Sequence, residues 1–253
     1  MKCNKLRNTA VNLLFPPECI ICGERINVTC ELSKINCICK RCRPSYESIF
    51  SEVCPLCNRS VSTCTCGVRI GSAEISPLAK CFFYKPKKER FVGNSVIYAI
   101  KHTDDKRITE MMALELSRSL TDMMRAENID PCECIFTFVP RRKRAIRKDG
   151  FDQGRRLANY CATFCGVKRG AKPLFVRSSG REQKKLNALR RRKNITESIR
   201  VRNGAEKRIC GRTVCIVDDV VTSGATMKAA EKLLLEAGAE RVIFACVAKT
   251  KNE

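Results

Sequence analysis

The spacing of apolar positions divides the chain into two kinds of sequence. From Ala79 onward, compact runs rich in β-branched and aromatic residues alternate with stretches whose apolar residues recur at helical spacing. The runs that predict strands are Ala79–Tyr84, Cys134–Val139, Leu174–Val176, Thr213–Val217 and Arg241–Ala248. The stretches that predict helices are Phe91–Ile100, Ile108–Met124, Gly154–Cys165 and Ala225–Ala237. Strands that alternate with helices predict an α/β domain, a parallel sheet flanked by helices.

Residues 16–70 follow neither pattern. They are rich in cysteine and turn residues and contain few long apolar periods. A segment of this size cannot bury a large apolar core, and small domains of this kind commonly depend on a metal ion. We therefore expect two domains, an N-terminal segment with a Cys-rich domain at residues 1–70 and the α/β domain at residues 71–253. Within the second, the basic and polar stretch Arg181–Asn194 predicts an exposed loop with some helix.

The Cys-rich domain contains four close cysteine pairs, in a chain with 19 cysteines. The pairs are Cys19-x2-Cys22, Cys39-x2-Cys42, Cys54-x2-Cys57 and Cys64-x-Cys66. A Cys-x2-Cys turn lets two thiolates converge on one ion at tetrahedral angles, and four such thiolates form a closed structural zinc site. Taken in order, the first two pairs predict one zinc site and the last two pairs predict a second.

Disulfides and iron–sulfur clusters are less consistent with these cysteines than zinc is. Disulfides are typical of secreted chains, but Met1–Pro17 lacks the small-residue cleavage site of a signal peptide. The spacings also differ from the ferredoxin pattern of iron–sulfur proteins. Cys30 and Cys37 lie between the pairs and could replace a ligand chosen above. The remaining cysteines are scattered, often in apolar runs, and are typical of small core residues.

The net charge of +23 is concentrated in one part of the chain. Between Arg141 and Arg212 there are 24 Lys and Arg residues and five Asp and Glu residues. Such an excess indicates a polyanionic partner, either nucleic acid or a phosphorylated ligand, and the alternative is a basic, solvated surface. The candidates for nucleic-acid contacts are Arg144, Arg147, Lys148, Arg190, Arg191, Arg192 and Lys193. No apolar stretch is long enough to predict a transmembrane helix.

The segment Val214–Thr226 carries the clearest chemical pattern. A buried strand, predicted to end at Val217, precedes Asp218 and Asp219 at the edge where open α/β sheets bind ligands. A short Thr-Ser-Gly loop then opens a helix, whose N-terminal N–H groups favour a phosphate. The candidate phosphate-binding residues are Thr222, Ser223, Gly224, Ala225 and Thr226. The two acids suit ribose hydroxyls, directly or through Mg²⁺. The segment therefore predicts a ribose 5-phosphate site, and the alternative is an acidic turn followed by a Ser or Thr helix cap.

This segment resembles the loop that binds PRPP (5-phosphoribosyl 1-pyrophosphate) in the type I phosphoribosyltransferases. Further motifs stand in a fixed order along the chain. They are Leu14-Phe15-Pro16 before the first cysteine pair, Val139-Pro140-Arg141-Arg142, Gly150-Phe151-Asp152-Gln153, and the basic stretch from Gln183 through Arg191 to Asn194-Ile195. Together they are similar to the ComF family, in which a double zinc ribbon precedes a phosphoribosyltransferase-like domain, and the resemblance covers nearly the whole chain.

The resemblance implies a cytoplasmic bacterial protein of natural transformation, working at the inner face of the cytoplasmic membrane with other competence proteins as partners. Such a protein would handle imported single-stranded DNA. The resemblance also implies that Asp218 and Asp219 hold ribose hydroxyls and Mg²⁺, and that Arg141 and Arg142 lie at the pyrophosphate loop of a PRPP site. Asp218, Asp219 and Arg141 are then the candidate catalytic residues.

Two residues depart from the family pattern. Asp149 stands before Gly150-Phe151 where an arginine is usual, which replaces a positive by a negative charge and weakens a phosphate role for this segment. Thr222 occupies the position of the general-base aspartate of purine-salvage enzymes and cannot accept a proton at neutral pH. Purine salvage is therefore not expected.

Three functions remain open from the sequence. The first is a competence accessory protein that binds PRPP and single-stranded DNA, the second an active phosphoribosyltransferase with an unidentified acceptor, and the third a PRPP-sensing regulator that binds without reacting. The only histidine, His102, is expected in a surface loop rather than in catalysis. The aromatic residues nearest the basic region, Phe151, Tyr160 and Phe175, are expected in the core rather than as stacking platforms for bases.

Overall fold

Strands and helices alternate in the computed structural model, which describes residues 16–26, 37–67, 69–70, 73–74, 76–85, 91–177 and 199–250. The strands are β1 (Arg69–Ile70), β2 (Ala73–Glu74), β3 (Leu78–Tyr84), β4 (Ile135–Phe138), β5 (Phe175–Arg177), β6 (Ile199–Val201), β7 (Thr213–Val221) and β8 (Arg241–Thr250). The helices are α1 (Arg43–Ser48), α2 (Val92–His102), α3 (Lys106–Ala126), α4 (Lys143–Asp149), α5 (Gln153–Phe164), α6 (Glu206–Ile209) and α7 (Ala225–Glu236). Among the described residues, no helix combines the length and apolar character needed to cross a lipid bilayer.

The main sheet has four strands in the order β3-β8-β7-β4, and each neighbouring pair is parallel. Strands β7 and β8 occupy the centre and are buried along almost their whole length. This burial explains their continuous apolar runs, because a parallel sheet is covered on both faces. Two short antiparallel pairs, β1 with β2 and β5 with β6, lie outside this sheet.

Helices cover both faces of the sheet, so the domain has three layers. On one face, α2, α3 and α5 contribute to an apolar cluster that includes Ile100, Leu116 and Leu157. On the other face, α7 and the β5–β6 pair contribute residues such as Leu234 and Phe175. The predicted parallel sheet flanked by helices is therefore confirmed.

The predicted end of one strand is wrong. Strand β7 continues to Val221 instead of ending at Val217, so Asp218 and Asp219 lie inside the strand. The strand is longer than predicted because β8 runs beside it as far as Thr250, and Asp218 pairs in register with Cys246. The two acids are therefore held on a rigid strand rather than on a loop. The stretch Arg181–Asn194 lies outside the described residues.

The Cys-rich part contains two turns of the same design. In each turn, the residue four positions after the first cysteine, Gly23 or Asn58, has a positive φ of 73° or 54°. Its backbone N–H donates to the carbonyl oxygen of that first cysteine, Cys19 at 2.8 Å or Cys54 at 2.9 Å. A positive φ turns the backbone sharply, which brings the two cysteines of a pair together.

The two turns pack against different parts of the molecule. Cys19 and Cys39 belong to the large apolar cluster that also contains Met112 of α3. Tyr46 of α1 joins that cluster, and its hydroxyl donates to the Met112 sulfur at 3.4 Å. Residues Cys54, Val61, Cys64 and Phe83 form a separate small cluster beside β3.

Candidate functional site

Three elements converge on the acid pair in β7. The Asp219 carboxylate is almost fully buried and accepts a hydrogen bond from Nε2 of Gln153, the first residue of α5, at 3.0 Å. The Lys101 ammonium, near the end of α2, lies 3.7 Å from Asp219 Oδ1. These contacts bring together residues that are far apart in sequence, and they form a polar site within the main sheet.

The charge of the acid pair is not fully balanced. Burial, and next the charge of Asp219, raise the pKa of Asp218 to about 7, while the backbone N–H of Asp219 and the Lys101 charge act in the opposite direction. The hydrogen bond from Asp219 N to Asp218 Oδ1 is 2.8 Å long. A buried and a half-buried carboxylate side by side, with Lys101 and Arg177 nearby, favour a ligand that brings positive charge or hydroxyl donors.

Gln153 has one amide atom without a partner. Its Oε1 is buried and has no hydrogen-bond partner among the described residues, although Nε2 of the same amide donates to Asp219. Buried acceptors are nearly always satisfied in folded proteins. Gln153 therefore offers an oxygen beside the acid pair that a ligand hydroxyl or a metal-bound water can satisfy. The sequence motif included Gln153 but assigned it no role.

The loop after β7 leads into a helix start that no side chain caps. Gly224 occupies the N-cap position of α7 with φ 72°, and no side-chain oxygen accepts from the first turn. The hydroxyl-bearing residues Thr222 and Ser223 are exposed, and Ala225 and Thr226 form the first turn of α7. The capping alternative considered from the sequence is therefore wrong. The backbone N–H groups of this helix start remain available for an anion.

Arg141, predicted to contact phosphate, is paired with Asp149 inside the chain. Its Nη2 lies 2.8 Å from Asp149 Oδ2, and both side chains are largely buried. Its Nη1 also donates to the Phe151 carbonyl at 3.5 Å. His102 Nδ1 lies 3.8 Å from Asp149 Oδ1. The aspartate that departs from the family pattern therefore pairs with the arginine predicted to lie at a pyrophosphate loop.

A third arginine, which the sequence did not indicate, contacts the segment that carries Arg141 and Arg142. Arg177, at the end of β5, donates from Nε to the Pro140 carbonyl at 3.0 Å. Burial lowers the pKa of Arg177, nearby Arg142 lowers it further, and Asp218 raises it. Arg142 itself is exposed at the N-cap of α4. Nothing in the sequence around Arg177 distinguishes it from the many other basic residues.

The single histidine and the aromatic residues are placed as follows. His102 is exposed, as expected, but it ends α2 rather than lying in a loop, and it packs against Tyr98 at a ring-centroid distance of 4.9 Å. Phe151 and Phe175 are buried, and Tyr160 packs against the core, as expected. Tyr98, with 65% of its surface exposed, is the most exposed large apolar residue of the described chain.

The predicted nucleic-acid residues are only partly described. Arg144, Arg147 and Lys148 are exposed on α4. Arg190, Arg191, Arg192 and Lys193 lie outside the described residues, as do Gln183 and Asn194. A second basic surface lies at the opposite edge of the sheet, where an open cavity of about 830 Å³ is lined by six cationic residues and no carboxylate. Its cationic residues are Lys168, Arg169, Lys172, Lys207, Arg208 and Arg212.

The eight paired cysteines form two groups of four, with the composition predicted from the sequence. The groups are Cys19, Cys22, Cys39 and Cys42, and Cys54, Cys57, Cys64 and Cys66, and the sulfur atoms within each group lie within 4.8 Å of one another. The Cys22 and Cys39 sulfurs are 3.7 Å apart, and the Cys57 and Cys64 sulfurs are 3.5 Å apart. A tetrahedral ion with Zn–S bonds of about 2.3 Å requires separations of about 3.8 Å. The geometry therefore fits zinc.

The remaining cysteines lie outside both groups. Cys37 is completely buried, burial raises its pKa to about 12, and its sulfur belongs to neither group. The idea that Cys37 replaces a ligand is therefore wrong, and Cys30 lies outside the described residues. Burial also raises the pKa of Cys134 and of Cys246 to about 12, which agrees with their expected role as core residues.

Comparison with known proteins adds independent information. Residues 152–253 match the family model described as the phosphoribosyl transferase domain. The DNA utilization protein YhgH of Salmonella typhi is 26% identical over 226 residues, covering 84% of this chain and 97% of the relative. The protein of the same name from Escherichia coli K12 is 24% identical over the same shares.

One solved structure to which this chain is weakly similar is the allosteric regulatory enzyme of purine biosynthesis. It is 15% identical, with 59% of this chain and 30% of that chain covered and a TM-score of 0.36. The phosphoribosyltransferase-like domain is supported instead by the family model and by the topology of the parallel sheet. The family model and the two four-cysteine groups together confirm the order predicted from the sequence, in which a Cys-rich part precedes a phosphoribosyltransferase-like domain.

Proposed function

We propose that this chain, which carries a phosphoribosyl transferase domain at residues 152–253 and is homologous to the YhgH proteins, binds PRPP or a related ribose 5-phosphate together with Mg²⁺. We assign it a role in DNA uptake, in which it also binds single-stranded DNA. The observation that carries the ligand is the pairing of two adjacent acids near the end of β7 with an uncapped helix start at α7, separated by one short loop.

Each end of this loop suits one part of a ribose 5-phosphate. The exposed loop Thr222–Gly224 and the N–H groups of α7 would donate to the 5-phosphate. Asp218 and Asp219 would accept from the ribose hydroxyls, and Gln153 Oε1 would accept from a further hydroxyl or a metal-bound water. Arg142, Arg177 and the Asp149-paired Arg141 would face the pyrophosphate group.

The donor set also fits Mg²⁺. Two carboxylates and an unpartnered amide oxygen are hard oxygen ligands of the type that Mg²⁺ prefers, and the pKa of Asp218, raised by burial and by the Asp219 charge, means that its ionised form gains from an added positive charge. When bound, Mg²⁺ would supply that charge and offset the pyrophosphate of the ligand. The two cysteine groups would each hold a structural zinc ion. The domain boundary near residue 70 remains a prediction.

The test of the ribose-phosphate site is calorimetric titration of PRPP with Mg²⁺, with pyrophosphate release followed in parallel. The wild-type chain should bind, and Asp218→Ala/Asp219→Ala should not. The exposed Asp122, which pairs only with Arg125 on the helix surface, provides the control variant Asp122→Ala. Binding that survives in the double variant contradicts the assignment.

An active transferase is the second candidate function, because the family match covers the whole of the PRPP segment. Pyrophosphate release in the presence of an acceptor would support it. Binding without release would support the accessory or sensing function, with which the pairing of Arg141 with Asp149 and the lack of a general base at Thr222 agree.

The proposal that the chain binds DNA is supported by the exposed basic residues of α4 and by the name of the relatives, the DNA utilization proteins YhgH. A labelled oligo(dT) should bind with an affinity that falls steeply as salt rises. Charge reversal at Arg144, Arg147 and Lys148 should weaken binding about tenfold or more. Reversal at Lys168, Arg169 and Lys207, in the cavity at the opposite edge, is the matched comparison. A larger loss from the second set would relocate the DNA site, and no binding at all would remove DNA from the proposal.

A further inference from the structure

Strand β3 buries a lysine that serves none of the functions proposed above. Lys80 has no exposed surface and lies between apolar neighbours on the strand. A buried ammonium is costly unless it is hydrogen-bonded and its charge is compensated. The described residues give Lys80 no carboxylate partner within ion-pair distance.

The polar atoms around the Lys80 ammonium come mainly from the second cysteine group. Its Nζ lies 2.8 Å from the Cys64 carbonyl oxygen, 3.2 Å from the Cys66 carbonyl oxygen and 3.2 Å from the Cys64 sulfur. A fourth contact, to the Leu78 carbonyl, is 3.4 Å long. The carbonyl oxygens satisfy the donors of the ammonium but do not cancel its charge.

The cysteine group supplies the missing negative charge. Four thiolates around a divalent ion carry a net charge of −2, and an adjacent ammonium reduces the total to −1. The thiolates compensate the charge of the buried ammonium, and the ammonium lowers the net negative charge of the metal site. The group Cys54, Cys57, Cys64 and Cys66 has a buried cation beside it, whereas the cation that interacts with Cys22 of the first group, Arg41, lies at the surface. At the first group, the neighbouring cation Arg41 is exposed and pairs with Glu24 at 3.1 Å.

A second lysine nearby provides an internal comparison. Lys249 of β8 is paired in register with Phe83 of β3 and is also buried. Its ammonium donates to the Gly67 carbonyl at 3.3 Å, and among the described residues no hydrogen bond joins it to a cysteine sulfur. Burial lowers the pKa of Lys249 and the charge of Lys80 lowers it further, while Cys246, Cys54 and Cys64 raise it. Both buried lysines therefore lie near the second cysteine group, but only Lys80 is hydrogen-bonded to one of its sulfurs among the described residues.

We propose that Lys80 is a positioning residue of the second metal site, which compensates the charge of its thiolates and fixes that site to strand β3. The role goes beyond the ribose-phosphate and DNA functions and depends only on zinc in the cysteine groups. Because Lys80 joins the two, metal binding at the second site and the folding of strand β3 would each stabilise the other. The second zinc should consequently be the more tightly held of the two.

The test is zinc content and zinc release in the full-length chain. Wild type should hold two zinc ions, one for each group. Lys80→Met should lower the affinity of one site about 10–100-fold, as loss of a second-shell partner does. Lys249→Met, which removes a charge near Cys54 and Cys64 but no hydrogen bond to a sulfur, should lower that affinity clearly less. Release is followed with a coloured chelator, and the affected cysteines are identified by alkylation and mass spectrometry.

A charge-balance variant separates compensation from simple packing. Lys80→Met combined with Cys66→His replaces one anionic ligand by a neutral one and restores the wild-type total of −1. Zinc affinity of the double variant should exceed that of Lys80→Met alone. Lys80→Met that holds both ions with wild-type release rates would overturn the proposal, as would a double variant weaker than the single one.

Wild type alone also tests the proposal, should Lys80→Met fail to fold. Under stepwise chelation, the cysteines of the first group should become alkylated before Cys54, Cys57, Cys64 and Cys66. The reverse order would overturn the role of Lys80. A wild-type chain without zinc would remove both this proposal and the zinc assignment, while leaving the PRPP titration unaffected.

Discussion

Two charged side chains lie at the same register position of the main sheet, but the groups that surround them differ. Lys80 on β3 and Asp218 on β7 are both in register with the same residue, Cys246 on the intervening strand β8. At Lys80, three carbonyls and a cysteine sulfur lie within hydrogen-bond distance of the ammonium. At Asp218, the nearest charge is that of a second carboxylate, Asp219.

The difference separates a structural site from a functional one. The surroundings of Lys80 are complete within the chain once the thiolates hold a metal. The pKa of Asp218 stays raised although Lys101, 3.7 Å from Asp219, and Arg177 are nearby, so the chain compensates its charge only in part. Perturbed carboxylates of this kind collect at ligand sites because the ligand provides the missing charge. The main sheet therefore holds two charged sites. At Lys80 the charge is balanced within the chain once zinc is bound, which we call the closed arrangement. At Asp218 the charge is balanced only in part, which we call the open arrangement.

The largest expected effect is on the closed arrangement. Cys64→Ser removes a metal ligand and leaves the Lys80 ammonium buried without its thiolate partner. We expect it to lower the free energy of unfolding by about 3–5 kcal/mol, the range seen when one partner of a buried ion pair is removed. Denaturant unfolding in the presence of zinc measures the change.

The matched variant is Cys22→Ser in the first group. Cys22 is exposed, and its neighbouring cation Arg41 is exposed as well. Its loss should therefore cost clearly less than the loss of Cys64. Equal costs for the two variants would show that the buried lysine adds nothing to the second site.

The next effect is smaller and concerns the open arrangement. The folded-state pKa of Asp218 is about 7, against an unfolded value of 3.8, so the folded protein binds the proton more tightly. Stability must then fall as pH rises from about 4 to about 7, where ionisation is penalised only in the folded state. Asp218→Asn, which keeps the acceptor for Asp219 N–H, should stabilise the chain by about 1–2 kcal/mol at pH 8, allowing for partial exposure.

This gain should shrink on acidification and vanish near pH 4. Thermal or denaturant unfolding at several pH values, without Mg²⁺ or PRPP, gives the measurement. Asp122→Asn on the exposed surface of α3 is the control and should show no such pH dependence. A variant less stable than wild type at pH 8 would mean that the Asp218 charge is compensated within the chain. PRPP binding should be lost in the same variant.

The sequence predicted the local patterns well, because they depend on neighbouring residues. Helix α7 was expected at Ala225–Ala237 and is found at Ala225–Glu236. The two cysteine groups were also composed correctly, since spacing alone brings the cysteines of each pair together. The end of β7 was missed because the pairing that prolongs the strand comes from β8, which lies later in the chain.

The contacts that define the sites could not be predicted in the same way. Gln153 and Asp219 are 66 residues apart, and Lys80 and Cys64 are 16 residues apart. A lysine inside a predicted strand carries no sign of which atoms will surround it. The Asp149 departure was visible in the sequence, but its partner Arg141 was identified only from the fold.

The smallest expected effect concerns a third arrangement, in which a charge at the open site is balanced from within. Asp149 holds Arg141 at 2.8 Å and also lies 3.8 Å from His102 Nδ1, so it neutralises part of the positive charge that a pyrophosphate would meet. Asp149→Asn keeps an oxygen for the Arg141 guanidinium and removes one negative charge. Affinity for Mg²⁺-pyrophosphate, measured by calorimetry, should rise about three- to tenfold and the gain should shrink in high salt. Asp104→Asn, whose exposed carboxylate pairs with Arg156, should leave the affinity unchanged. A fall in affinity in Asp149→Asn would show instead that the aspartate serves mainly to hold Arg141 in position, and the site would then resemble the closed arrangement at Lys80.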